Sequence, residues 1–244
     1  MIAISKLGEY LDIHCGAEDA VFPHHTNEIA QSESYLGHKW CTYWVHMAFL
    51  NDKNGKMSKS KGDSKDLRYL IKLGYNPLVY RFFCLGSHYR NQLVFSEEAM
   101  DTATNSYNKL KRKIKFIKNN QEGYLEEDKI EEYKNKFKEA FENDMNTSSM
   151  LTVLYDVIKS NINNKTKLYL IEDFDKVLSL DLTKEEEINE ELLKYINKKI
   201  EERNNAKKEK NYKLADSIRD ELLEKDIIIK DTREGTTFEI KWTK

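Results

Sequence analysis

Glycine and proline are unevenly placed along this chain, and their placement limits the fold more than any other feature. Seven of the nine glycines and both prolines precede residue 87; beyond it only Gly123 and Gly235 remain. These residues punctuate turns, and long helices form where they are scarce. The first third therefore reads as mixed strand, turn and helix, and the rest as mostly helical. With 39% hydrophobic and 34% charged residues, the chain has material for real but modest cores. No run of eighteen apolar residues occurs, which excludes an ordinary membrane-spanning helix. The opening residues, Met1 to Gly8, are too quickly polar for a secretory signal. Three cysteines (Cys15, Cys41, Cys84) without framework spacing are expected to be reduced thiols of a cytoplasmic protein.

Tyr10 to His14 predicts a short strand, and Cys15-Gly16-Ala17 a tight turn. Pro23 suits a first helical position, and His24 to Tyr35 continue as helix until Gly37 stops them. Residues 43–50 are almost continuously apolar, as in a central strand of a parallel sheet covered on both faces. Short helices are expected over Asp66 to Leu73 and Pro77 to Leu85. Ser96 caps a long helix whose apolar positions Met100, Ala103, Tyr107, Leu110, Ile114 and Ile117 recur by three and four. Ile130, Tyr133, Phe137, Ala140 and Phe141 mark a further stripe. Leu151, Leu154, Tyr155 and Ile158 mark another, started by Asn146-Thr147. Thr183 and Glu186 form a capping box ahead of Ile188, Leu192, Ile196 and Ile200. A last helix near Leu214 to Leu222 precedes a hairpin from Ile227 to Trp242 around Gly235. The stripes read as bundle core rather than as cofactor contacts.

Charge is segregated. The net charge of −2 averages −4 over residues 1–55, +9 over 56–121 and −7 over 122–244. Between Thr102 and Gln121 six Lys or Arg occur with no acid. A basic belt between acidic flanks suits a polyanion bound at one place, or charge balance between packed domains. The belt opens on Lys56-Met57-Ser58-Lys59-Ser60, which follows the apolar run 43–50 across the turn-forming residues Asn51 to Gly55. Ammonium groups neutralise phosphates and hydroxyls hydrogen-bond to their oxygens; lysine spacing alone also fits a solvated loop.

His24 and Glu28, four apart on a predicted helix, project from one face and offer two zinc-type ligands, or an ordinary helical pair. His25 points about a hundred degrees away and is the weaker candidate ligand. His14 ends a strand ahead of a turn, where α/β folds place ligand contacts, with Asp19 in the loop beyond; a structural hydrogen-bonding role fits His14 equally. Trp44 reads as packing, and Phe238 and Trp242 as hairpin core.

The lysine string resembles the KMSKS loop of class I aminoacyl-tRNA synthetases. Asp12 to Ala17 with Phe22 to Glu33, Tyr43-Trp44-Val45-His46, His88-Tyr89-Arg90 with Phe95 to Ala99, and Asn143 to Thr147 extend the resemblance. Ala215 to Asp220 and Asp231 to Thr236 complete it, and together these segments resemble the cysteinyl-tRNA synthetase family over nearly the whole chain. The family's HIGH motif belongs to an N-terminal half that this sequence lacks, and its usual triple glycine after the strand histidine is Cys15-Gly16-Ala17 here.

The resemblance implies the tail of a Rossmann-like catalytic domain (1–55), followed by the KMSKS loop and a stem-contact region (56–96). A helical tRNA- or anticodon-binding bundle (97–182) and a small anticodon-binding α/β unit (183–244) complete it, so the fold class is α/β plus all-α. It implies ATP with Mg2+ as substrate, L-cysteine and cysteine tRNA as partners, no membrane, and a monomer. Lys59, Lys56, Ser58 and Ser60 would be catalytic, Lys59, Lys56 and Met57 would bind ATP, and His14 and Asp19 would meet the cysteine. Zinc would be held by His24 and Glu28 with two upstream cysteines, leaving Cys15 an extra thiol. The alternatives are a tRNA-binding module without catalysis, and a cysteine:amino-sugar ligase of the same superfamily. The latter would not need the C-terminal tail.

Overall fold

The computed structural model describes residues 2–52, 55–56, 66–184, 190–225, 227–232 and 235–240. The chain divides into two compact units, one of Met1–Lys65 with Leu78–Thr183 and one of Asp66–Pro77 with Lys184–Lys244.

The first unit opens with α1 (Ile2–Leu7) and β1 (Leu11–Ala17). After an irregular turn through residues 18–25 come α2 (Thr26–Leu36) and β2 (Cys41–Met47). Gly37 ends α2 with φ 75°, donating its N–H to the Glu33 carbonyl, the left-handed cap that glycine adopts without a Cβ penalty. β1 and β2 pair in parallel, Ile13 opposite Tyr43 and Gly16 opposite His46. The Cys15-Gly16-Ala17 turn expected from sequence is therefore strand, continuing in register to Ala17 opposite Met47. Ile4, Trp40 and Cys41 form a small buried cluster against which Leu11, Leu36 and Trp44 pack. The strand expected over 43–50 is likewise corrected, because pairing with β1 ends at Met47. Tyr43 is also exposed, so β2 lacks cover on one face among the described residues.

The chain restarts as β3 (Leu50–Asp52) in a separate sheet, flanked by β4 (Gly55–Lys56), antiparallel, and β5 (Leu93–Val94), parallel. The Ala48 amide donates to Tyr89 O, Leu93 N to Phe49 O and Phe95 N to Asn51 O. Residues 48–52 and 89–95 are thereby zipped together across forty positions of sequence.

α3 (Leu67–Lys72), capped by the Asp66 carboxylate, belongs to the second unit, and α4 (Pro77–Leu85) leads back into the first. There α5 (Glu97–Asn119), α6 (Glu127–Glu142), α7 (Thr147–Lys159) and α8 (Asn164–Leu178) pack as a bundle. Ser96 caps α5 by accepting from Ala99 N, and all six positions of its expected stripe are buried. In α6 the stripe is narrower than expected: Ile130 and Phe137 are buried, whereas Phe141 is exposed. Phe137 stacks on Phe174 of α8 with ring centroids 4.0 Å apart. α8 itself, absent from the sequence reading, supplies Leu168, Leu170, Ile171, Phe174 and Leu178 to the core. After it the chain turns through Ser179 and Asp181, both at positive φ, clamped by Asp175, whose carboxylate accepts from Leu180 N and Leu182 N.

In the second unit α9 (Glu190–Lys208) and α10 (Tyr212–Glu224) pack on an antiparallel hairpin of β6 (Ile227–Thr232) and β7 (Gly235–Ile240). Its core is Ile196, Ile218, Leu222, Ile227 and Ile229, with Phe238 packed against it as hairpin core. The expected capping glutamate, Glu186, and Trp242 lie outside the described residues.

Candidate functional site

Parallel pairing of β1 and β2 sets His14 beside Trp44 and Gly16 beside His46. Strand alternation then turns His14 and Gly16 to one face and Cys15, which is exposed, to the other. Over that face the chain descends from the end of β1 into α2. Residues 21–25 are not a regular helix: Phe22 is at φ −139°, ψ 134° and the Phe22–Pro23 bond is cis. This irregular entry rotates His25 inward and His24 outward relative to the first turns of α2.

The result is a cluster of imidazoles around one carboxylate. Oε2 of Glu28 lies 2.9 Å from His14 Nε2, and its Oε1 lies 3.4 Å from His24 Nε2. His25 is 4% exposed, and its Nδ1 is 2.8 Å from His46 Nε2. One ring of that pair donates and the other accepts, so the two have complementary tautomers. Burial, then the neighbouring His14, lower the His25 pKa, against the raising effect of Glu28. Trp44 closes the cluster, with its ring centroid 4.7 Å from that of His14 and 4.9 Å from that of His25.

Among the described residues, His14, His25 and Glu28 bring three potential metal-ligating atoms within 4.8 Å of one another. The buried Glu28 Oε2 makes no hydrogen bond, its contact with His14 being an ion-pair distance without hydrogen-bond angles. A buried carboxylate oxygen without a donor, facing imidazole nitrogens, is a donor set that suits a small divalent cation of zinc type. His24 and Glu28, the expected ligand pair, are neighbours, but the His24 side chain is 68% exposed and His25 takes the inward place. Nothing in the residue types singled out His25 or His46; the signal was Gly16, whose missing side chain leaves the space that the His25 ring fills. Asp19 is exposed in the short 3-10 turn Glu18–Ala20 after β1, apart from the cluster of ligand atoms.

Of the lysine string, Lys56 contributes backbone to β4, paired with Asn51, and Met57, Ser58, Lys59 and Ser60 lie outside the described residues. The strand pair that launches it is braced from below. Arg90 Nε is 2.7 Å from Asp144 Oδ2, and Tyr89 donates its hydroxyl to Asp144 Oδ1 at 2.7 Å. The His88-Tyr89-Arg90 and Asn143 to Thr147 segments, far apart in sequence, thus meet at one carboxylate. The bond from Tyr89, followed by the charge of Arg90, holds the Asp144 carboxyl below its usual value. Asp144 and Met145 reach it at φ 56° and 52°, a left-handed pair between α6 and α7.

Residues 1–105 match the family described as the catalytic domain of class I (C) tRNA synthetases. A cysteine–tRNA ligase of Bacillus cereus strain B4264 is 37% identical over 262 aligned residues, covering 96% of this chain and 54% of its own. One from Bacillus velezensis is 38% identical over 251, covering 94% and 52%. The chain is related to the cysteine–tRNA ligases. It spans about half the length of these curated relatives and corresponds to their C-terminal half. Among solved structures, Mycobacterium tuberculosis methionyl-tRNA synthetase bound by methionyl-adenylate is similar at 17% identity and a TM-score of 0.46. That likeness covers 70% of this chain and 41% of the other.

Proposed function

We propose that this chain is the C-terminal half of a ligase that joins cysteine to its tRNA with ATP, through a cysteinyl-adenylate. The supporting observation is the 37% identity to cysteine–tRNA ligases across 96% of the chain. In this reading β1 and β2 are the last strands of a Rossmann-like sheet completed by the preceding half. The substrate's carboxylate attacks the α-phosphorus of Mg2+-bound ATP in line, and pyrophosphate leaves. A terminal ribose hydroxyl of the tRNA then attacks the cysteinyl carbonyl and AMP leaves. Lys59 stabilises the charge gathering on the phosphates in the first step, with Lys56 and the Ser58 and Ser60 hydroxyls beside it and Met57 against the nucleotide. His14 and Asp19 orient the cysteine.

Zinc, when bound through Glu28 with His24 or the inward His25, supplies a soft centre that favours a thiol over a hydroxyl and so selects cysteine. The helical bundle and second unit bind tRNA, and the ligase acts as a monomer in the cytoplasm.

The test is ATP–pyrophosphate exchange by this chain joined to the N-terminal half of a relative. Exchange should depend on cysteine and fall at least a hundredfold in Lys59→Ala, with cysteine affinity little changed. Exchange at the wild-type rate in that variant would remove Lys59 from its role. The basic stretch 56–121, with a net charge of +9, also suits a second reading, a tRNA-binding module without catalysis. Tight tRNA binding by the joined protein with no exchange would support it.

A further inference from the structure

Lys56, the first residue of the lysine string, takes its place from outside the parallel sheet. Pairing with β1 ends at Met47, and the next amide, Ala48, donates instead to the Tyr89 carbonyl. Beyond it, Leu93 N donates to Phe49 O and Phe95 N to Asn51 O. Asn51 also donates its side-chain amide to Gln92 Oε1 at 3.2 Å, and its backbone pairs with Lys56 in β4. The backbone of Lys56 is therefore positioned by residues 89–95, not by β1 or the histidine cluster.

Residues 88–90 are in turn tied to the bundle at one side chain. Asp144 stands in the turn between α6 and α7, and the Arg90 guanidinium meets it edge-on, with Nε 2.7 Å from Oδ2 and Nη2 3.3 Å from Oδ1. Tyr89 donates its hydroxyl to Oδ1 at 2.7 Å and accepts from Arg90 Nε at 3.0 Å. A two-pronged arginine–carboxylate contact fixes orientation as well as distance, which a single charge contact does not. Thr147, at the start of α7, adds a hydrogen bond from its hydroxyl to the Ser87 carbonyl at 3.3 Å.

Stability alone accounts poorly for this arrangement. The Asp144 and Arg90 side chains are 43% and 65% exposed, and exposed ion pairs add little to folding free energy. Asp144 and Met145 nonetheless both hold left-handed backbone, a conformation that costs residues other than glycine. Glycine at 144 would relieve the backbone and lose the carboxylate. What the turn secures is the place of that carboxylate, two strand pairings away from Lys56.

We propose that Asp144 is a positioning residue for adenylate formation: through Tyr89 and Arg90 it sets where the β3–β4 pair, and with it the Lys56 backbone, stands. The bundle thereby places the phosphate side of the reaction, while His14 and Asp19, on the cysteine side, depend on β1 and the turn after it. The proposal rests on the ligase reading for the reaction it serves.

The test is steady-state ATP–pyrophosphate exchange by this chain joined to the N-terminal half of a relative. Asp144→Asn and Arg90→Gln should each lower kcat about tenfold and raise the KM for ATP about threefold, with the KM for cysteine unchanged. The two together should lose no more than either alone, because both act through one contact. Arg90→Lys, which keeps the charge without the fork, should restore little. Tyr89→Phe, which keeps the fork, should lose about threefold in kcat. Lys136→Ala, which removes an exposed partner of Glu132 on α6, should leave all three constants as they were. Melting curves show which variants are folded.

Wild-type kinetics in folded Asp144→Asn and Arg90→Gln would overturn the proposal and leave the ligase reading standing. A lower kcat with both KM values unchanged would mark a smaller folded fraction and would overturn it as well. A raised KM for cysteine alone would assign the brace to the histidine side, against the proposal. Absence of cysteine-dependent exchange in the unmutated joined protein would overturn the ligase reading, and the proposal with it.

Discussion

A methyl group added at Gly16 would overlap Cε1 of His25 and stand 2.8 Å from its Nε2, so the histidine cluster is built around a missing side chain. Gly16→Ala should therefore expel the His25 ring from its bond to His46 and cost about 2 kcal/mol in urea unfolding, the range for overpacking a filled site. Unchanged histidine ring resonances in that variant would refute it. Gly16 was read from sequence as a turn residue because glycine usually marks one. Its use here is close approach within a strand, which no local pattern distinguishes. His25 ranked below His24 because a regular α-helix turns it about a hundred degrees away, whereas residues 21–25 form a wider π-type turn entered through the non-helical Phe22. At Cys84 burial, outweighing the hydrogen bond from Tyr80 and the charge of Arg81, raises the thiol pKa. A higher pKa leaves less thiolate near pH 8. Iodoacetamide should thus label the exposed Cys15 well ahead of Cys84; equal rates by peptide mapping would contradict this.

Elements were legible where one face alone is buried. α5 has a single buried stripe, and the sequence names each of its positions. α8 contacts α5, α6 and α7, so its buried residues Thr166, Leu168, Leu170, Ile171 and Phe174 spread around the cylinder and blur the period that pattern reading needs. The resemblance segments were legible as strings, but their meeting at Asp144 was not, because it depends on tertiary folding of a left-handed turn. Asp144→Ala should release the brace beneath β5. The expected result is faster hydrogen exchange at the amides of Ala48, Leu93 and Phe95, with the α5 amides unaffected; uniform protection would disprove the brace. Because its pKa is lowered in the folded chain, Asp144 contributes stability above its unfolded value near pH 4 and loses it as pH falls through the folded value.

At the scale of the molecule, the second unit has its own electrostatic pin. Arg203, 5% exposed, pairs both nitrogens with the Asp231 carboxylate at 2.9 and 3.0 Å, joined by Lys207 at 2.6 Å. The Arg203 bond, then the Lys207 bond, hold the Asp231 carboxyl far below the usual range. The sign is again that of a depressed acid: the stabilisation is complete above about pH 5 and fades as pH falls through the folded value. Arg203→Ala should cost about 2 kcal/mol, the scale of a charged hydrogen-bonded pair. Hydrogen exchange should rise across α9, α10 and the hairpin while the bundle of the first unit keeps its protection. A rise in both units alike would show that they unfold as one.

The zipper between residues 48–52 and 89–95 has a practical corollary for anyone dividing this polypeptide. The first unit is written in two stretches, Met1–Lys65 and Leu78–Thr183, and β3 and β5 lie on opposite sides of the interruption. A fragment started after the lysine string would carry β5 without its neighbour, and one stopped there would leave the edge of β3 open to other chains. Position along the sequence suggests residue 66 as a natural cut. Strand pairing makes it a poor one, and expression boundaries belong outside Leu50 to Val94.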